Sequence, residues 1–134
     1  MKRKFKALIL IILAPFLVLA FYIGFLWATY IDQTITEGQQ YGFTIGTTKY
    51  ETYTNVAQLL EEHPNLVVYI SYGPRAGDNI TFPPTPGNYE QAQKHNNWSL
   101  LLDGDGEFFN VIKLKHENNT LQEIYRHRKY FEAP

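Results

Sequence analysis

Asp103, Asp105 and Glu107 alternate with glycine in an Asp-Gly-Asp-Gly-Glu run, and oxygen ligands at alternate positions are what a calcium loop uses. Such a loop also needs a glycine at its sixth position and a bidentate acid at its twelfth. Those positions here are Phe108 and Leu114, so the run reads instead as a solvated hairpin turn between two apolar strands. His63, His95, His116 and His127 are scattered, without the spacing that brings two imidazoles to one metal. Ser71 and Ser99 are the only serines, and neither stands in a Gly-x-Ser-x-Gly elbow. The chain has no cysteine and therefore no thiol nucleophile. These residues predict no catalytic site, no metal, no cofactor and no small-molecule substrate.

What remains is a concentration of basic and aromatic residues near the C-terminus: Arg126, His127, Arg128, Lys129, Tyr130 and Phe131. Two uses fit this composition. In one, an edge strand turns its cations toward the acids of the domain, each exposed pair contributing about 0 to 1 kcal/mol. In the other, the six residues form a patch that docks a protein partner, because arginine beside aromatic rings is the composition of interface hot spots.

The element that must position these groups begins at the other end of the chain. Lys2, Arg3, Lys4 and Lys6 precede an apolar run over residues 7–31 with no charge until Asp32. Twenty-five helical residues at about 1.5 Å each make roughly 37 Å, enough to cross a hydrocarbon core of about 30 Å with some tilt. Val18-Leu19-Ala20 also offers the small-residue spacing of a signal-peptidase site. The residues after it, Phe21 to Trp27, stay apolar where a cleaved protein turns polar, so a retained anchor is expected. Trp27, Tyr22 and Tyr30 then fall toward the outer interface, and the four flanking cations keep the N-terminus inside. In a bacterium this predicts a single-pass inner-membrane protein: residues 1–6 cytoplasmic, 7–31 spanning, 32–40 a stalk, and 41–134 a periplasmic domain.

Setting aside the four N-terminal cations leaves eight basic residues against 13 acidic, so the head carries about −5, a balance that argues against nucleic acid. Without cysteine it has no disulfide, and about a hundred residues suffice for a single core. Asn-x-Ser/Thr triplets at Asn79, Asn97 and Asn118 are attributed to chance in so Asn- and Thr-rich a chain.

A helix is expected directly after Gly46, capped by Thr48 with Glu51 three residues on and ended by His63 before Pro64. Tyr53, Val56, Ala57, Leu59 and Leu60 supply its buried stripe. Residues 66–72 read as a strand, 73–88 as an irregular loop rich in proline and glycine, and 89–95 as a short helix. A three-strand meander follows, over 98–102, 108–115 and 121–128, with Asn118-Asn119 in its second turn. One main helix on about three to four antiparallel strands is an α+β fold. The expected core is Tyr53, Val56, Leu59, Leu60, Val67, Tyr69, Trp98, Leu100, Ile112, Leu114 and Ile124.

Two resemblances attach to particular segments. Ile45-Gly46-Thr47-Thr48-Lys49 before the helix and Asn118-Asn119-Thr120-Leu121-Gln122-Glu123-Ile124 closing a late hairpin resemble the small SmpA/OmlA (BamE-like) envelope domain. This resemblance covers about residues 41–128 and implies a helical segment on a three-stranded sheet serving protein–protein contacts; the chain lacks that family's lipobox cysteine. Tyr41-Gly42-Phe43-Thr44-Ile45-Gly46 after an N-terminal span, with the tail from Tyr125 to Pro134, is similar to a family of membrane-anchored immunity proteins of bacterial polymorphic toxin systems. That similarity covers nearly the whole chain. It implies stoichiometric binding and neutralisation of a cognate protein toxin, with the matching tail as the partner-binding segment.

Overall fold

A computed structural model describes residues 2–105 and 108–129, and the chain divides into a unit that holds the residues before Ile31 together with Lys129 and a sheet unit over Ile31–Arg128. In the first unit, α1 (Lys2–Thr29) continues through Pro15 and buries none of its side chains. At about 1.5 Å per residue its 28 residues extend roughly 42 Å, and it is long and apolar enough to cross a membrane. The helix ends two residues before the limit expected from the apolar run, because Ile31 already belongs to a strand.

The second unit is α+β, with a six-stranded antiparallel sheet in the order β1-β8-β7-β6-β4-β5. The strands are β1 (Ile31–Ile35), β4 (Val67–Ser71), β5 (Asn79–Phe82), β6 (Asn97–Leu101), β7 (Asn110–Glu117) and β8 (Thr120–Arg128). β2 (Gln39–Gln40) and β3 (Phe43–Thr44) form a separate hairpin. Two strands exceed the expected number. The segment read as a stalk supplies β1, which pairs along its whole length with β8, and the proline-rich loop contains β5, which pairs with β4. Both are edge strands, and polar positions such as Asp32, Gln33 and Asn79 are what an edge tolerates.

Turns set the register. Tyr41 and Gly42 both hold positive φ between β2 and β3, as do Asn118 and Asn119 between β7 and β8, the geometry of two-residue hairpins whose twist suits antiparallel strands. β7 begins at Asn110, so Phe108, expected in the strand, precedes it and stands half-exposed, while Gly106 and Glu107 lie outside the described residues.

One face of the sheet is covered by α2 (Lys49–Gln58), α3 (Tyr89–Gln93) and β3. Thr48 caps α2 by accepting from the Glu51 N–H at 3.2 Å, and a 3₁₀ turn over Leu59–Glu61 leads to His63 and Pro64. Tyr53 and Val56 of α2, Phe43 of β3 and Ala92 of α3 meet Val68, Ile70, Trp98, Leu100, Ile112, Leu114 and Ile124 of the sheet. Two expectations about this core need correction. β4 turns Val68 and Ile70 inward, not Val67 and Tyr69, and Leu59 and Leu60 are only half-buried, because the helix narrows to a 3₁₀ turn at them.

Candidate functional site

Strand alternation decides where each tail residue points, since successive side chains leave opposite faces of a sheet. Arg126 lies in register with Ile112 on one side and Gln33 on the other, in the row that continues to Leu100 and Val68. It is therefore on the helix-covered face, and it is buried. One guanidinium nitrogen donates to the carbonyls of His127 at 2.7 Å and Val111 at 3.3 Å. The guanidinium also lies 5.8 Å from the centre of the Tyr41 ring, whose hydroxyl donates to Gln33 Oε1 at 2.7 Å. The Tyr41–Gly46 segment and the C-terminal strand thus meet through this cation–π contact as well as through the Gly46 N–H, which donates to the Leu121 carbonyl, and Arg126 helps hold the hairpin to the sheet. A partner would not reach it without displacing Tyr41.

His127 points to the opposite, open face, parallel to the Tyr125 ring at 6.3 Å, and is half-buried. Arg128 pairs with Ile31 and Asn110 at the sheet's end and, like Lys129, is half-buried. Tyr130 and Phe131 lie outside the described residues. The strand therefore divides Arg126, His127 and Arg128 between two faces.

The open face carries a row across all six strands: Thr34, Tyr125, Lys113, Ser99, Tyr69 and Thr81. Lys115 and Asn97 belong to the next row, with Glu123 opposite Lys115. Asn97, Ser99, Lys113, Lys115, Glu123 and Tyr125 border a groove of about 260 Å³. Lys113 Nζ stands 5.8 Å over the Tyr125 ring, and Phe108 meets Tyr69 edge-on at 5.4 Å. Lys113 and Lys115 were not singled out from the sequence. Their signal was the alternation Ile112-Lys113-Leu114-Lys115-His116, which places two cations on the face that the helices do not cover.

The same alternation carries His116 inward. It is 2% exposed and packs on Trp98 with ring centres 4.4 Å apart. Its Nδ1 donates to the Asn96 carbonyl at 3.0 Å, while Nε2 has no hydrogen-bond partner among the described residues. Burial pushes its pKa down to about 4, opposed by the Asn96 bond and aided by the charge of Lys49. Lys49 is itself buried, its Nζ donating to the Gln93 carbonyl at 2.9 Å, and burial lowers its pKa too. Trp98 Nε1 donates to the Ala92 and His95 carbonyls at 2.9 and 3.1 Å. Together Lys49, Trp98 and His116 bond the carbonyls of Ala92, Gln93, His95 and Asn96 at and just beyond the end of α3, which makes this polar group a structural brace.

Among the described residues no three His, Asp or Glu side chains come together in a way that could hold a metal ion. Comparison of the chain with protein-family models, with curated proteins and with solved structures returns no match.

Proposed function

We propose that this chain is an immunity protein, a head tethered to the periplasmic side of a bacterial inner membrane that binds and neutralises a cognate protein toxin by occupancy. The observation that carries the reading is the helix-free face of the sheet, which buries Leu101 and Val111 at one end and exposes Lys113 and Lys115 beside Tyr125 at the other. Antiparallel sheets commonly leave one face to solvent, but half-buried tyrosines beside exposed lysines on such a face make a surface suited to a partner. The similarity of the Tyr41–Gly46 segment and the tail to immunity proteins supports the same reading. An apolar helix of spanning length supports the tether, with the four N-terminal cations setting the N-terminus in the cytoplasm. Tethering keeps an inhibitor at high effective concentration where an incoming toxin must pass.

A second reading, a BamE-like envelope assembly factor, is favoured by one observation. Gly46 donates to the Leu121 carbonyl at 2.7 Å, Leu121 to Thr47 at 2.8 Å and Lys49 to Asn119 at 3.1 Å, so the two segments that resemble that domain are strapped together. Gene deletion separates the readings. An immunity gene lies beside a large toxin gene and is needed only when that toxin is present. Loss of an envelope factor compromises the outer membrane in every condition, and that result refutes the immunity reading.

A further inference from the structure

The chain passes from helix to sheet without a spacer. α1 ends at Thr29, the Tyr30 N–H still donates to the Leu26 carbonyl at 3.0 Å, and β1 begins at Ile31. Residues 7–29 of a helix extend about 34 Å, against a hydrocarbon core of about 30 Å, so a retained anchor leaves the core close to Thr29. The covalent chain alone then holds Ile31, two residues on, within about 7 Å of that point. The polar layer of a bilayer is itself about 5 to 8 Å deep on each side.

Strand register carries this position across the sheet. Ile31 lies opposite Arg128, and Arg128 opposite Asn110, so β1 and β7 start side by side and run the same way. The residues that precede them, Tyr30 and Phe109, therefore leave the same end of the sheet, two strand spacings or about 10 Å apart. Phe109 and Phe108 are 38% and 50% exposed, whereas Phe43 and Phe82 of the same domain are buried. Asp103, Asp105 and Glu107 precede the pair in sequence and Arg128 and Lys129 close the neighbouring strand, so these charges hold no positive excess with which to attract anionic lipid.

We infer that Phe108 and Phe109 lie in the polar layer of the bilayer that α1 spans, resting this end of the sheet on the outer leaflet. The inference rests on the retained anchor of the proposed function and adds a second contact to it. Its partner is the phospholipid interface itself, where aromatic side chains at the edge of an anchored element settle. An apolar contact of this kind needs no anionic lipid and does not weaken with salt. Its consequence is orientation: a head held only at Ile31 swivels, and a second attachment about 10 Å away stops it.

The test uses the full chain with Trp27→Phe, since the bilayer would quench Trp27, reconstituted in phosphatidylcholine vesicles with and without bromine on the acyl chains. Trp98, 1% exposed, remains as an internal reference. Phe109→Trp is expected to lose about half of its added emission to brominated lipid, equally at low and high salt and with or without phosphatidylglycerol. Val67 lies in the row of Leu101 and Val111, so exposed Tyr72, past the last residue of β4, is about 17 Å further from the membrane end. Tyr72→Trp should lose less than about a tenth of its added emission. If Phe109→Trp abolishes the cooperative urea transition of the head, Phe108→Trp decides. Co-flotation with the vesicles reports the anchor separately. A chain that floats but shows no quenching at the phenylalanine positions overturns the bilayer contact and leaves the anchor and immunity readings intact. Equal quenching of Tyr72→Trp overturns it too, as does quenching that appears only with phosphatidylglycerol. Emission that shifts to the blue without quenching means that another protein chain covers these residues, and it also overturns the lipid contact. A chain that does not float overturns the anchor and this inference together.

Discussion

Protonating His116 should destabilise the head, and the size of the effect follows from its surroundings. The ring is 2% exposed and packed at a tilt against Trp98, and its one bonded nitrogen already donates to a carbonyl. A proton on Nε2 would be a buried charge with no acceptor among the described residues and Lys49 nearby. The folded pKa is about 4 against an ordinary 6.5. The unfolded chain therefore takes up a proton first as pH falls. The stability that His116 contributes is fully present above pH 6.5, declines between 6.5 and about 4, and is exhausted below that. Two and a half pKa units at 1.36 kcal/mol each amount to roughly 3 kcal/mol, a large part of a small domain's stability. Urea unfolding of the full chain in micelles at pH 7.5, 6.5, 5.5 and 4.5 measures this, with Trp27→Phe leaving Trp98 as the only indole reporter. His116→Phe keeps a ring against Trp98, removes the titration and leaves the Asn96 carbonyl bonded to the backbone N–H of residue 116. That variant should change stability at pH 7.5 by less than about 1.5 kcal/mol and lose most of the slope between pH 6.5 and 5.5. Identical slopes for the two chains, or an NMR titration of His116 near 6.5, would refute the reasoning.

Arg126→Ala should cost about 2 to 4 kcal/mol in the same unfolding assay, because it strands buried carbonyl contacts and frees Tyr41; a loss under about 0.5 kcal/mol would place the side chain in solvent. Leu100→Ala, in the fully buried layer, should cost about 2 to 5 kcal/mol, and Leu60→Ala, at a half-buried position, about 1 kcal/mol; equal losses would contradict the packing. Carbonate extraction should leave the native protein in the membrane fraction; release of the head with a new N-terminus near Phe21 would mean that Val18-Leu19-Ala20 is cleaved.

Local signals were the legible ones. Thr48 and Glu51 announce the start of α2, and Asn118-Asn119 a hairpin, because each acts within a few residues. Features that depend on distant pairing were hidden. Ile31–Ile35 is mostly polar and becomes a strand only because β8, more than eighty residues on, pairs with it. Leu66 to Ile70 is apolar at every position, so no alternation chose between Val67 with Tyr69 and Val68 with Ile70, and the pairing with β5 and β6 made the choice. Arg126 reads as one cation in a basic cluster, and only its register with Ile112 turns it inward. His116 was within reach of sequence reasoning, since it continues the buried spacing of Ile112 and Leu114, but a lone histidine on an apolar face carries no motif.

The most direct measurement of the central claim is survival of cells in which the adjacent toxin domain is directed to the periplasm while the full chain is expressed at graded levels. Stoichiometric neutralisation predicts that survival rises with the ratio of this chain to toxin and saturates once the chain is in excess. Survival that stays at the toxin-only level at every ratio would contradict the account.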